Sequence, residues 1–241
     1  FLSIIMTLGI VYGDIGTSPL YVLRAVIGSA DIIDAELIIG AISCVIWTLT
    51  LLTTLKYVII ALRADNRGEG GIFSLFALIR KKAPWIVVFA MIGGSTELAD
   101  GVITPSITVI SATEGLLLIG SNIPVLPIAM LIILALFSLQ KFGTKVVGSS
   151  FGPIMFLWFA MLGTIGLVYI IQAPFIFKAF NPYYAVRFLT AHPGGFVLLG
   201  AIFLATTGAE ALYSDLGHCG KNNIRISWIF VKCMLILNYL G

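Results

Sequence analysis

Apolar runs, each about one bilayer deep, alternate along this chain with short segments where charges and turn residues collect. A hydrocarbon core is about 30 Å thick and a helix rises about 1.5 Å per residue, so roughly 20 apolar residues cross it. On that measure the pattern predicts seven helices, over residues 3–28, 36–62, 86–119, 123–139, 146–171, 195–216 and 226–241. The third run, about 34 residues long, exceeds a perpendicular crossing and implies strong tilt or protrusion. Three runs are interrupted by an acid: Asp14 in the first, Asp100 in the third and Glu210 in the sixth. A carboxylate in hydrocarbon costs a few kcal/mol unless it faces a polar cavity, so each marks a functional position. Runs four and five carry no charge in their interiors.

Composition agrees with the pattern. Apolar residues make up 59% of the chain and charged ones 10%, against about 25% in a soluble domain. A net charge of +3, scattered along the chain, does not describe a nucleic-acid-binding face. Cys44, Cys219 and Cys233 have no metal-type spacing, and His192 and His218 are far apart, so no metal centre or disulfide framework is indicated. The loops after runs two, four and six hold nine of the 14 basic residues, with Arg63, Arg67, Arg80, Lys81 and Lys82 in the first of them. The opposite loops carry Asp31, Asp34 and Glu36, then no charge between Ser121 and Pro127, then only Lys178 and Arg187. The positive-inside bias places the basic loops and the N-terminus in the cytoplasm. Both ends fall within apolar runs, and the first lacks a basic leader and a cleavage site, so the expectation is a fragment of a polytopic protein rather than a signal peptide.

The acids sit in three polar clusters. Around Asp14, two glycines and Pro19 make a continuous helix costly, and unwound backbone at membrane depth needs a cavity to line. Thr17, Ser18 and Tyr21 add side-chain oxygens there; a packing kink with a capping Asp is the plainer alternative. Asp100, Thr104 and Thr108 follow one another at i, i+4 and i+8, on one helix face, with Glu97, Ser111 and Glu114 near the same stripe. Such hydroxyls also serve as packing glue, which accounts for the threonines better than for the acid. In the sixth run Thr207 and Glu210 are one turn apart beside Gly208, a break point. Carboxylates favour the neutral form among apolar neighbours and the charged form beside a cation, so Glu210 is a candidate for proton coupling, with a bond to a neighbouring helix as the alternative. Asp215 and His218 read as loop-bonded. The glycine-rich segment 63–71 lacks the GxxxxGK[ST] pattern and reads as a structured connection, not a phosphate loop.

These residues resemble the KUP/HAK/KT potassium uptake permeases. The likeness starts at residues 9–21 (GIVYGDIGTSPLY) and continues through 63–71 (RADNRGEGG), 100–105 (DGVITP), 140–143 (QKFG) and 208–217 (GAEALYSDLG). It covers the whole chain, with the motifs in the family's order, and GDIGTSP is closer to bacterial than to plant members. The resemblance implies an all-α, LeuT-like fold of the amino-acid/polyamine/organocation superfamily with inverted five-helix repeats. Residues 1–172 would form the first repeat, and 173–241 an extracellular connection, the sixth helix and the start of the seventh. It also implies proton-coupled potassium import across a bacterial cell membrane, with potassium as substrate, the proton as coupling ion and no cofactor. A homodimer through the absent C-terminal region is an expectation of the same kind. Carried over by motif, the potassium positions fall on Asp14, Tyr21, Asp100, Thr104, Thr108 and Thr207, with Glu210 as the proton-coupling group. Some members have Glu where this chain has Asp100, so the reach of that ligand differs here.

Two other functions compete. A cation-coupled amino-acid or amine permease would use the same carboxylates for an amine, but the bulky polar run Asp14, Thr17 and Ser18 leaves little room for a substrate carboxylate at the break. An intramembrane aspartyl protease needs G-x-G-D; Val11 stands where its first glycine should be, and no second YD motif lies within a run.

Overall fold

In the computed structural model, residues 2–28, 34–118, 120, 123–139, 144–191 and 195–241 are described. Asp31, Ser121, His192 and the QKFG segment 140–143 lie outside them. The described residues are helical throughout, apart from turns and a short bridge between Asn66 and Glu69.

Run one is broken where its glycines and proline predict. Helix α1 (Leu2–Val11) stops at Tyr12, α2 (Gly13–Thr17) is little more than one turn, Ser18–Leu20 tightens to a 3-10 turn around Pro19, and α3 (Val22–Ile27) resumes. Asp34 caps α4 (Ala35–Thr48), its carboxylate accepting the Leu37 N–H at 2.7 Å. That helix runs on as wider π-type turns over Leu49–Ile60 and ends in a 3-10 turn at Arg63. Next come α5 (Ile72–Ile79), α6 (Val87–Glu114), α7 (Val125–Leu139) and α8 (Thr144–Gln172). After a 3-10 segment Pro174–Phe180 follow α9 (Pro182–Ala191) and α10 (Gly195–Phe203), then a second break at Leu204–Thr206. The chain closes with α11 (Ala211–Ser214), α12 (Leu216–Cys219) and α13 (Lys221–Leu240).

Four helical stretches among the described residues are long and apolar enough to cross a membrane: Ala35–Arg63, Pro84–Leu118, Ser150–Gln172 and Lys221–Leu240. Leu2–Val11, Val125–Ser138 and Leu198–Ser214 are apolar but shorter. The expectation of about seven transmembrane helices in a LeuT-like inverted-repeat fold is corrected accordingly, to an all-helical domain in which, among the described residues, four helical stretches are long enough to span and three apolar helices are shorter. Run length counts apolar residues whatever the backbone does. Glycine and proline divide runs one and six, and the 15 residues of α7 rise only roughly 22 Å. Two helices also lie where loops were expected, α5 and α9; Glu36 and Arg187 pair between α4 and α9.

The first break is anchored from the far end of the chain. The buried Tyr12 hydroxyl donates to the Ile224 carbonyl at 2.8 Å and accepts from Ser227 Oγ at 3.1 Å, while its ring stacks on Trp228 at 6.1 Å. Trp228 Nε1 donates to Thr54 Oγ1 at 3.0 Å, tying α13 to the π-type segment. Helix α8 packs along α1 and α13, where Gly152 and Gly163 leave room for close approach. The core therefore gathers α1, α4, α8, α10 and α13. Helix α6 stands outside it: only 11% of the apolar stretch of Pro84–Leu118 is buried, against 61% for Ala35–Arg63. Its outward face shows Leu98, Val102 and Ile103, an apolar surface suited to lipid or further protein and not to water.

The segment 63–71 is structured, as its composition predicts. Gly68 N–H donates to Asp65 Oδ2 at 3.0 Å, and Ser74 Oγ donates to the Glu69 carbonyl at 2.9 Å. It also grips the region after the second break, since Tyr213 donates its hydroxyl to the Ala64 carbonyl at 2.6 Å.

Candidate cation site

The two breaks meet at the acids. Asp14 lies on the short α2, Asp100 on α6, and Glu210 one turn beyond the second break; all three are half-buried. One carboxylate oxygen from each can be chosen so that all lie within 4.8 Å of one another. Three carboxylates at that range repel one another unless protons or a cation offset the charge. Asp14 Oδ1 is buried and has no hydrogen-bond partner among the described residues, a lone pair left for something else to use.

Local backbone explains how Asp14 and Glu210 come so close. Gly208 has φ +83°, and a Cβ built there would stand 2.7 Å from Asp14 Cβ and 3.0 Å from the Ile15 nitrogen. Only glycine permits both the left-handed turn and that approach. The Gly208 N–H then donates to Glu210 Oε1 at 3.3 Å, holding the carboxylate back toward the break.

On α6 the expected ladder is present on one face. Thr104 Oγ1 donates to Asp100 Oδ1 at 2.7 Å, and Thr108 Oγ1 lies 3.4 Å from Thr17 Oγ1 on the broken segment. Thr17 also donates to the Asp14 carbonyl at 2.8 Å. Pro105 sits inside α6 and has no N–H, so the Gly101 carbonyl loses its helical donor. A cavity of about 310 Å³ opens between α2 and α6, lined by Asp14, Thr17, Asp100, Gly101, Thr104 and Thr108, with Leu136 of α7 on its wall.

The seven residues singled out from the sequence thus divide. Asp14, Asp100, Thr104 and Thr108 line the cavity, and Glu210 joins through its carboxylate. Tyr21 and Thr207 are not among the cavity walls. The buried Tyr21 hydroxyl bonds Ser18 Oγ at 3.2 Å and is within side-chain hydrogen-bonding reach of Thr207, so this pair braces the segment carrying Asp14. Glu114, on the same stripe, is engaged by Arg24 in an ion pair joining α3 to the end of α6. Asp215 is half-buried in the turn before α12; burial raises its carboxyl above the usual range, and His218 beside it acts in the opposite direction. Sequence reasoning missed Trp158, whose Nε1 donates to the Gly16 carbonyl at 2.8 Å from α8, because nothing in an uncharged apolar run signals a contact 142 residues away.

Hard cations favour oxygen ligands, and this arrangement brings carboxylate- and hydroxyl-bearing residues around one space, without a nitrogen- or sulfur-bearing side chain among the lining residues.

The profile of the "K+ potassium transporter integral membrane domain" matches residues 1–241. Relatives named probable potassium transport system protein Kup are 60% identical in Cytophaga hutchinsonii and 57% identical in Flavobacterium johnsoniae, each over 99% of this chain. The corresponding protein of Enterococcus faecalis is 55% identical, again over 99% of the chain. The chain spans 37% or 38% of the length of these relatives. No solved structure matches. The relatives are named as transport proteins rather than enzymes, and the alternative of an amino-acid or amine permease gains no support from them. The matched family also stands in place of the LeuT-like assignment made from the sequence.

Proposed function

The chain belongs to the K+ potassium transporter family, and from that premise we propose that its three converging acids form the potassium site of a proton-driven importer. The carrying observation is that Asp14, Asp100 and Glu210, from three separate stretches, place carboxylate oxygens within 4.8 Å while Asp14 Oδ1 lacks any partner among the described residues. In this reading potassium binds between Asp14 and Asp100, with the Thr104 and Thr108 hydroxyls and the Gly101 carbonyl completing its oxygen shell. Tyr21 and Thr207 hold the broken segment in place.

Glu210 carries the coupled proton. Three carboxylates around one monovalent cation leave excess negative charge, and a proton on Glu210 together with potassium between Asp14 and Asp100 offsets it, so each ion favours binding of the other. Joint loading of the two ions from outside and their joint release inside couple the two flows in one direction without a separate device. The basic loops, 63–71 among them, face the cytoplasm of a bacterial cell in this proposal.

The test uses the full-length protein in proteoliposomes, with rubidium or potassium uptake measured with and without an imposed pH gradient. Uptake stimulated by an acidic outside is the expected result, and uptake indifferent to the gradient would remove the proton. Glu210→Gln, which keeps the shape and fixes the group neutral, should retain cation uptake but lose the response to the gradient. An unchanged gradient response in that variant would assign coupling elsewhere, with Asp100 next in line.

A further inference from the structure

We propose that Trp158, on the long apolar helix α8, is a positioning residue that sets the cation selectivity of the site. This inference rests on the reading above and adds a residue that no cluster of acids or hydroxyls would disclose.

Where the short α2 gives way to the 3-10 turn Ser18–Leu20, the regular helical ladder is interrupted, and a carbonyl left there can face either the cavity or a donor elsewhere. The Gly16 carbonyl is taken by the Trp158 indole N–H at 2.8 Å. Gly16 lies between Asp14 and Thr17, both cavity walls. Holding its carbonyl toward α8 sets the rotation of α2, and with it the face that Asp14 and Thr17 present to α6. Packing reinforces the bond: a Cβ on Gly16 would stand 2.7 Å from Phe159 Cζ and 2.9 Å from Met155 Cε, so α2 lies directly on α8 at this point. On the other side Thr17 reaches Thr108, which links the same rotation to the hydroxyl ladder of α6. The contrast with Gly101 is chemical. Its carbonyl loses its helical donor to Pro105 at a residue that lines the cavity, whereas the Gly16 carbonyl is held by a donor on α8.

A small monovalent cation is discriminated by the number and placement of oxygens around it. Loss of the indole donor frees the Gly16 carbonyl and lets α2 turn, so the oxygen set changes while the charges stay. Trp158→Phe keeps an aromatic ring against the segment and removes only the donor. In the full-length protein in proteoliposomes, the variant should raise the KM for rubidium by about three- to tenfold, the range a single lost hydrogen bond supplies. It should also lower the preference for rubidium and potassium over sodium. Trp158→His, which restores a ring N–H, should recover part of that preference. A residue that merely packs would reduce the yield of folded protein and leave the ratio of cation affinities unchanged; that outcome overturns the proposal, as does equal behaviour of the Phe and His variants.

Amide hydrogen exchange gives a second reading that needs no transport. Trp158→Phe should speed exchange across residues 13–21 selectively, and a uniform change over all helices, or none, would also overturn the proposal. If wild-type protein carries neither rubidium nor potassium, the transport reading fails by itself, and selective exchange at 13–21 still decides whether Trp158 positions the segment.

Discussion

Asp14→Asn and Asp100→Asn should each bring potassium uptake to background while leaving the protein folded in the membrane. A unit charge about 4 Å from a cation is worth about 4 kcal/mol at an effective dielectric of about 20, before the costs of desolvation are subtracted. Losing even about 3 kcal/mol weakens binding roughly a hundredfold. The amide keeps the volume of the carboxylate, so packing is preserved and the charge alone is removed. Asp14 is the more sensitive of the two, because its Oδ1 has no partner among the described residues, whereas Asp100 Oδ1 already accepts from Thr104. Folding should not suffer. Three carboxylates within 4.8 Å repel one another, and neutralising one relieves that repulsion when no cation is bound. Uptake of potassium or rubidium by each purified variant, with thermal unfolding recorded on the same sample, checks both halves of the expectation. Wild-type uptake in either variant would take that residue out of the site.

Gly208→Ala is expected to be nearly as damaging although it removes no chemical group. The backbone φ of +83° costs an alanine roughly 1–2 kcal/mol, and the new methyl would stand 2.7 Å from Asp14 Cβ. A clash with a Cβ, and with the Ile15 nitrogen at 3.0 Å, cannot be relieved by a side-chain rotation, so the two breaks must move apart. Asp14 and Glu210 then separate, and the acid cluster opens. Uptake should fall at least tenfold and the unfolding midpoint should drop by several degrees, the shift that about 1–2 kcal/mol produces in a domain of this size. Gly208→Ala with full uptake would show that the close approach of the breaks is not needed for transport.

Much of this site was legible in the chain before any tertiary contact was known. Acids in apolar runs are costly enough to announce themselves, so Asp14, Asp100 and Glu210 stood out by physics alone. Helical periodicity placed Thr104 and Thr108 above Asp100, and the glycines and Pro19 placed the first break. Family resemblance then supplied the cation, and the profile match over residues 1–241 agrees with that family. The count of spans was less legible, because apolar length does not record where a helix breaks; runs one and six are each long enough to cross a bilayer and yet are not single helices.

What the sequence by itself determined is local: which segments are apolar enough for a membrane, where helices break, and which face of α6 bears oxygens. These depend on spacing and on backbone chemistry within a few residues. Tertiary structure alone decided which of those oxygens meet. It set Asp14 against Gly208 and Trp158 against Gly16, pairs 194 and 142 residues apart that no periodicity connects. It also sent Glu114 to Arg24 and left Asp14 Oδ1 without a protein partner among the described residues. The reason is physical. A residue's cost of burial can be read from its type, but its compensation depends on the groups that packing brings within about 3 Å, and packing is a property of the whole chain.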